Sequence, residues 1–332
     1  MYNIKDIHHL HLEISSLCNA RCPLCPRNFH GYPYNDGYTE RNLTLRDVKK
    51  IFRPSFVKQL SEILINGNFG DCVMNTETPD IVEYFKQHNP DINIDISTNG
   101  GARSKQFWQQ LGRTGSRILF CLDGLSDTHS IYRQDTVYET VLKNAKTFMS
   151  AGGQAVWKMI KFDHNKHQIA KCEQLSKELG FSNFELIDEG RNTGVAVDKK
   201  GNVVNIIGKP KVINFDRLLE SKETDTVVLE DINPIVKDIT CVAKKNKSIY
   251  ITSTGEVYPC CWTAFYPRTY GHGQYYQVVN QQLNDIITPN NALETSLEES
   301  IKWFNEVERS WGIENFEEGR LVVCNDYCGK CK

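Results

Sequence analysis

The chain has 332 residues, a formal charge of −2 and 40% hydrophobic residues, which fits one large domain or a domain with a smaller appendage. The near-neutral balance leaves no electrostatic footprint for nucleic acid or an anionic membrane. No apolar run reaches the length of a membrane span, and the opening MYNIKDIHHLHLEI lacks the apolar core of a signal peptide, so the expected location is the cytoplasm.

From residue 8 to 188, strand-like and helix-like segments alternate. HHLHLEISS (8–16) alternates as a strand, then breaks at a cysteine-rich loop. LTLRDVKKIF (43–52) reads as a helix with Thr44 as N-cap and Asp47 three residues on. EILIN (62–66) is a short apolar strand, and TPDIVEYFKQHN (78–89) a helix with Pro79 in its first turn. INIDIST (92–98) is a strand, SKQFWQQLG (104–112) a helix with Gly112 past its end, and RILFCLDG (117–124) a strand. A long amphipathic helix over 137–153, a strand over 155–162, a helix over 167–180 and a sixth strand over 183–188 follow.

Strands alternating with helices predict a parallel sheet with right-handed crossovers. The expected fold is therefore α/β, a partial (β/α)6 TIM-like barrel over 1–190. Residues 191–240 read as a linker with one hairpin. Residues 241–332 read as a small cysteine-rich α+β domain whose hairpin, SIYITSTGEVYPCCW (248–262), turns at STGE. A helix is expected within 291–311.

Twelve cysteines in a reducing compartment argue against a disulfide framework and for metal-binding or catalytic thiols. In such barrels chemistry gathers at the C-terminal ends of the strands. Cys18, Cys22 and Cys25, in CNARCPLC, follow the first strand. Three thiolates can hold three irons of a four-iron, four-sulfur cube and leave the fourth open. A closed zinc site needs a fourth ligand, for which His8, His9 and His11 are the candidates.

Cys-x3-Cys-x2-Cys after the first strand of a six-unit (β/α) chain resembles the radical S-adenosylmethionine (SAM) superfamily. The resemblance covers residues 8–188. It implies that the open iron is chelated by SAM, which one electron cleaves to methionine and a 5′-deoxyadenosyl radical that takes hydrogen from a substrate. NGNFGDC (66–72) is similar to a variant of the family's Gly-Gly-Glu stretch. Gly67, Asn68, Gly70 and Asp71 then face the SAM amino group. Thr98 and Asn99 in STNG lie beside the cofactor. CLDG resembles a ribose-contacting stretch in which Cys121 replaces a serine, shifting the contact toward Asp123. Arg133 matches an arginine that pairs with the SAM carboxylate, and Leu24 a position near the adenine.

The C-terminal CNDYCGKC repeats the spacing of the first motif, at Cys324, Cys328 and Cys331. Cys241, thirteen residues, Gly255, four residues and Cys260 resemble the opening of the twitch and SPASM extensions of the same superfamily. That resemblance implies an auxiliary four-iron cluster on Cys241, Cys260, Cys328 and Cys331. Cys261 and Cys324 are spares, Cys324 being an alternative to Cys328, and a structural zinc is the competing occupant. Cys72 and Cys172 read as ordinary buried thiols.

The loop RNFHGYPYNDGYTERN (27–42) is long and aromatic and leaves the first motif. Loops of this kind at a barrel mouth often bind substrate, which makes Arg27, His30, Tyr32, Tyr34 and Arg41 candidate contacts. The expected substrate is a small metabolite or a peptide. With so few residues before the first strand, a peptide would bind directly or through a separate partner. Flavodoxin or ferredoxin is the reductant that the resemblance implies. The rival reading is a non-catalytic iron–sulfur electron-transfer protein.

Overall fold

The computed structural model describes residues 1–25, 27–29, 32–33, 38–188, 193–198, 200, 202–208, 235–268 and 274–329. Six strands alternate with helices: β1 (His9–Leu12), β2 (Glu62–Ile65), β3 (Asn93–Thr98), β4 (Arg117–Cys121), β5 (Gln154–Ile160) and β6 (Asn183–Ile187). Each pairs in parallel with the next, in the registers His9↔Glu62, Glu62↔Asn93, Asp95↔Arg117, Arg117↔Gln154 and Val156↔Asn183. A parallel sheet covered by its own crossover helices is buried on both faces. That explains why β4 is buried at all but its first residue.

The helices start where local chemistry places them. The Thr44 side chain accepts the Asp47 amide and Asp47 returns the bond, so the helix Leu45–Ile51 begins in a capping box. Pro79 sits in the first turn of the helix Thr78–His88. Gly112 is the last residue of the helix Lys105–Gly112 rather than the residue beyond it. It is glycine because an added Cβ would meet the Phe148 carbonyl oxygen at 2.5 Å. The helix expected over 167–180 begins as a 3-10 turn, Lys166–Gln168, before Ile169–Glu178.

The chain beyond 190 is more closely joined to the sheet than its composition suggests. β7 (Thr193–Val197) and β8 (Val203–Gly208) form the hairpin expected in the linker. Ala196 and Ile207 from it pack with Ala20, Cys22, Tyr132, Ile160 and Phe162. β9 (Ser248–Ile251) then pairs in parallel with the free side of β1, and β10 (Val257–Tyr258) turns back antiparallel to it. The sheet therefore has eight strands, in the order β10-β9-β1-β2-β3-β4-β5-β6. One apolar core holds Leu10 and Ile63 from the sheet centre together with Tyr250, Trp303, Phe304 and Val322 from the C-terminal part. The segment 291–311 carries two short helices, Leu297–Ser300 and Phe304–Ser310. No helix among the described residues is long and apolar enough to cross a membrane.

Candidate functional site

The first cysteine loop lies at the C-terminal edge of the sheet, directly after β1. The Cys25 amide donates to the Cys22 carbonyl and the Ala20 amide to the Cys18 sulfur, which folds the loop on itself. Two further donors reach the sulfurs: Asn99 Nδ2 stands 3.7 Å from Cys18 Sγ and Arg133 Nη1 3.6 Å from Cys22 Sγ. Burial pushes the Cys22 thiol up to about 12, and burial followed by Asp71 and the other two cysteines raises Cys18. Burial dominates both shifts and the neighbouring thiols add to it; a bound cation would oppose them by favouring the thiolates. Leu24 packs in the same small cluster as Cys22 and Tyr132. His8, His9 and His11 are bonded instead to Gln59, Glu62 and Asn66 along the sheet.

The strand-end residues divide into scaffold and surface. Gly70 lets the second strand end touch the first: a Cβ there would stand 1.9 Å from the Ser15 carbonyl oxygen. Gly67 leaves the same kind of room for Glu13, whose Oε1 would be 2.6 Å from an added Cβ. Asn68 faces the C-terminal part, donating from its backbone to the Tyr250 hydroxyl and from its side chain to the Cys261 carbonyl. Asp71 is buried. Its Oδ1 accepts the Thr98 hydroxyl at 2.6 Å and the Val73 amide at 3.0 Å, and its Oδ2 accepts the Asn99 amide at 2.6 Å. Burial raises its pKa above the usual carboxylate range, against those bonds. Asp71 therefore locks Thr98 and Asn99 in place, and Asn99 carries the effect to Cys18.

Asp123 is completely buried. Its Oδ2 accepts Arg133 Nε at 2.6 Å and its Oδ1 accepts the Ile160 amide at 2.6 Å. The carboxylate thus fixes an arginine whose other end meets Cys22. Cys121 is buried and lies 3.6 Å from the Ser97 hydroxyl. A nearby residue does have open hydrogen-bonding capacity. His164, after β5, stacks on Phe162 with ring centroids 5.2 Å apart, and both ring nitrogens are buried without a partner. Burial lowers its pKa, so the ring is neutral near pH 7. The sequence offered only its place at a strand end.

Of the loop candidates, Arg27 and Arg41 make contacts within the protein. Arg27 donates to the Phe69 carbonyl at 3.2 Å and pairs with Glu40, while Arg41 pairs with Asp47 at 3.0 Å. Tyr32 lies in a two-residue ribbon whose side chains, like His30 and Tyr34 altogether, are outside the described residues. Tyr38, not singled out by the sequence, stacks on Phe69 at 4.6 Å and has a buried hydroxyl without a partner.

A second set of thiols forms where the C-terminal helix Val322–Cys328 packs back on residues 236–241. The Thr240 amide donates to the Cys328 carbonyl, and Asn325 Oδ1 accepts the Val236 amide. A hydrogen bond with Cys328 holds the Cys241 thiol down at about 6, while Cys328 is raised. Cys324 is buried on the same helix, and its thiol is raised first by burial and then by Cys260 and Cys241. Cys241, Cys260, Cys324 and Cys328 are therefore neighbours; Cys331 lies outside the described residues. Among the described residues no three His, Cys, Asp or Glu side chains are drawn close enough to hold a single metal ion.

A parallel (β/α) sheet with three thiols at the end of its first strand defines a class, and comparison with known proteins gives the same class. Residues 12–164 match the model described as the Radical SAM superfamily. That span takes in the first cysteine loop and the ends of β1 to β5. It is similar to GTP 3′,8-cyclase of Klebsiella pneumoniae, 23% identical over 171 residues that cover 50% of each chain, so it spans about half the length of that curated relative. In fold it resembles Streptococcus suis SuiB bound to S-adenosylmethionine (TM-score 0.59, 16% identity, 97% of this chain and 73% of that one). It also resembles anSMEcpe with bound AdoMet (TM-score 0.56, 16% identity, 97% and 86%).

Proposed function

We propose that this protein cleaves SAM reductively and uses the resulting radical to take hydrogen from an organic substrate. The observation that carries the reading is the Cys18–Cys22–Cys25 loop at the sheet's C-terminal edge, with Asn99 and Arg133 donating to two of its sulfurs. These three thiolates would hold a four-iron cluster. When bound, the cluster and SAM supply the one-electron chemistry that yields a 5′-deoxyadenosyl radical. The protein's own residues orient and shield. Asp71 fixes the Thr98–Asn99 turn, Asp123 fixes Arg133 for an anionic group, and Gly70 closes the strand ends around the loop.

The second thiol set would hold an auxiliary four-iron cluster that exchanges an electron with the substrate or helps bind it. Cys241, Cys260 and Cys328 supply three ligands, and Cys324, one turn before Cys328 on the same helix, is taken as the fourth, with Cys331 the alternative. A flavodoxin or ferredoxin would be the reductant. The fold neighbours bear on substrate class: SuiB is seen with precursor peptide SuiA and anSMEcpe with the Cp18Cys peptide. A peptide therefore stands beside a small metabolite as substrate.

Anaerobic reconstitution tests the reading. About eight irons per chain are expected, four for each cluster, together with 5′-deoxyadenosine when SAM and a reductant are added. Roughly four irons with one zinc would overturn the auxiliary cluster. A protein with its irons in place that binds SAM but forms no deoxyadenosine with any candidate substrate would be an electron-transfer protein.

A further inference from the structure

A cavity of about 290 Å³ lies between the β9–β10 hairpin, Arg268, and the Tyr38–Thr39 segment. It belongs to the C-terminal edge of the sheet, because β9 runs parallel to β1. Thr252–Glu256 thus leave the same edge as Glu13 and the first cysteine loop.

Two buried polar atoms on its wall have no partner: Arg268 Nη2 and the Tyr38 hydroxyl. Arg268 is only 4% exposed. Buried donors are almost always paired, so two on one wall point to a missing acceptor. Both are held rigidly. Arg268 Nη1 donates to Glu13 Oε2 at 2.6 Å, and its guanidinium lies over the Phe69 ring at 4.7 Å. Tyr38 stacks on the same ring, 20° from parallel.

Glu256 also lines the cavity. Its Oε2 accepts the Thr252 and Thr254 hydroxyls, at 2.8 and 2.6 Å, and its Oε1 accepts no side-chain bond among the described residues. Glu13 already balances Arg268, so Glu256 leaves the three groups with one net negative charge. A carboxylate ligand would meet that charge at close range. A neutral amide would not, and it has an acceptor for the donors and a donor for the acceptor.

We propose that this cavity binds a neutral amide, a peptide bond or carboxamide, with its carbonyl on Arg268 and Tyr38 and its N–H on Glu256. That the amide belongs to the enzyme's substrate rests on the radical SAM reading; the binding itself does not.

The test is saturation-transfer NMR on the whole 332-residue chain, with three probes of similar size: N-methylacetamide, butyrate and butylammonium. The amide should bind and the two ions should not. Tyr38→Phe keeps the ring stack and should weaken amide binding about tenfold, the effect of one lost hydrogen bond. Glu256→Gln should admit butyrate. Failure of the amide to bind, equal binding of butyrate to the unaltered protein, or an unchanged affinity in Tyr38→Phe would overturn the proposal. None of these readouts depends on iron or on SAM cleavage, so they stand or fall apart from deoxyadenosine formation.

Discussion

Arg268 Nη1 donates to Glu13 Oε2 at 2.6 Å, across 255 residues of sequence, with both side chains buried. Glu13 follows the central strand β1 and also accepts the Phe69 amide at 2.8 Å. One carboxylate thus ties the first strand end, the second strand end and the C-terminal part together. Removing one member of a buried pair strands the other, at a cost of about 3–5 kcal/mol. Glu13→Gln should lower the unfolding free energy by that amount, seen as a lower urea midpoint at an unchanged slope. The double variant Glu13→Leu, Arg268→Met should recover most of the loss. Equal midpoints for Glu13→Gln and the unaltered protein would show the pair to be dispensable.

Two glycines separate close approach from backbone conformation. At Gly70 a Cβ would stand 1.9 Å from the Ser15 carbonyl oxygen, whereas Gly115 has positive φ and open space around it. Gly115→Ala should cost about 1 kcal/mol, the ordinary strain of a left-handed residue. Gly70→Ala should cost more and should also displace the cysteine loop, seen as incomplete iron uptake on reconstitution.

Asp123 is sealed by Arg133 and the Ile160 amide, and Cys121 offers only a thiol. His164 brings two unused ring nitrogens to the next strand end. His164→Phe should therefore weaken SAM binding about tenfold, one hydrogen bond's worth, while iron content stays the same. Equilibrium dialysis with labelled SAM measures this; unchanged affinity would assign His164 to packing against Phe162.

Single serine variants decide the auxiliary ligands. Cys241→Ser, Cys260→Ser, Cys324→Ser and Cys328→Ser should each reduce iron from about eight to about four per chain. Cys261→Ser and Cys172→Ser should leave it unchanged. If Cys331→Ser lowers iron and Cys324→Ser does not, the fourth ligand is the distal cysteine.

His129 is fully buried, accepts the Asp123 amide on Nδ1 and lies 2.9 Å from the Thr136 hydroxyl through Nε2. Burial, with Arg133 adding to it and Asp123 opposing, lowers its pKa from 6.5 to about 4. The unfolded chain binds this proton more readily than the folded one. Stability is therefore full above pH 6.5 and falls as pH drops toward 4, by roughly 3 kcal/mol at most. His129→Gln should flatten that limb of a pH–stability curve.

Much of the barrel was legible because its signals are local. Thr44 and Asp47 are three residues apart, so the cap they form needs nothing else from the chain. Other local signals misplaced a boundary or left bonding partners unstated. Gly112 looks like a helix stop, yet its reason is the neighbouring Phe148 carbonyl. Asp71 and Asp123 sit where ligand contacts are expected, and both also bond to their own scaffold. A motif gives a carboxylate's address but not its bonding partners.

Residue order alone sets the alternation of strands and helices and the cysteine loop that follows the first of them. Both are set by spacing along the backbone: two residues per strand repeat, 3.6 per helical turn, and fixed gaps between thiols. It took the folded chain to bring β9 alongside β1 and Arg268 to Glu13. Several residues of the same chemistry could fill each of those places. Which one does depends on contacts made across the whole chain, and no local spacing records them.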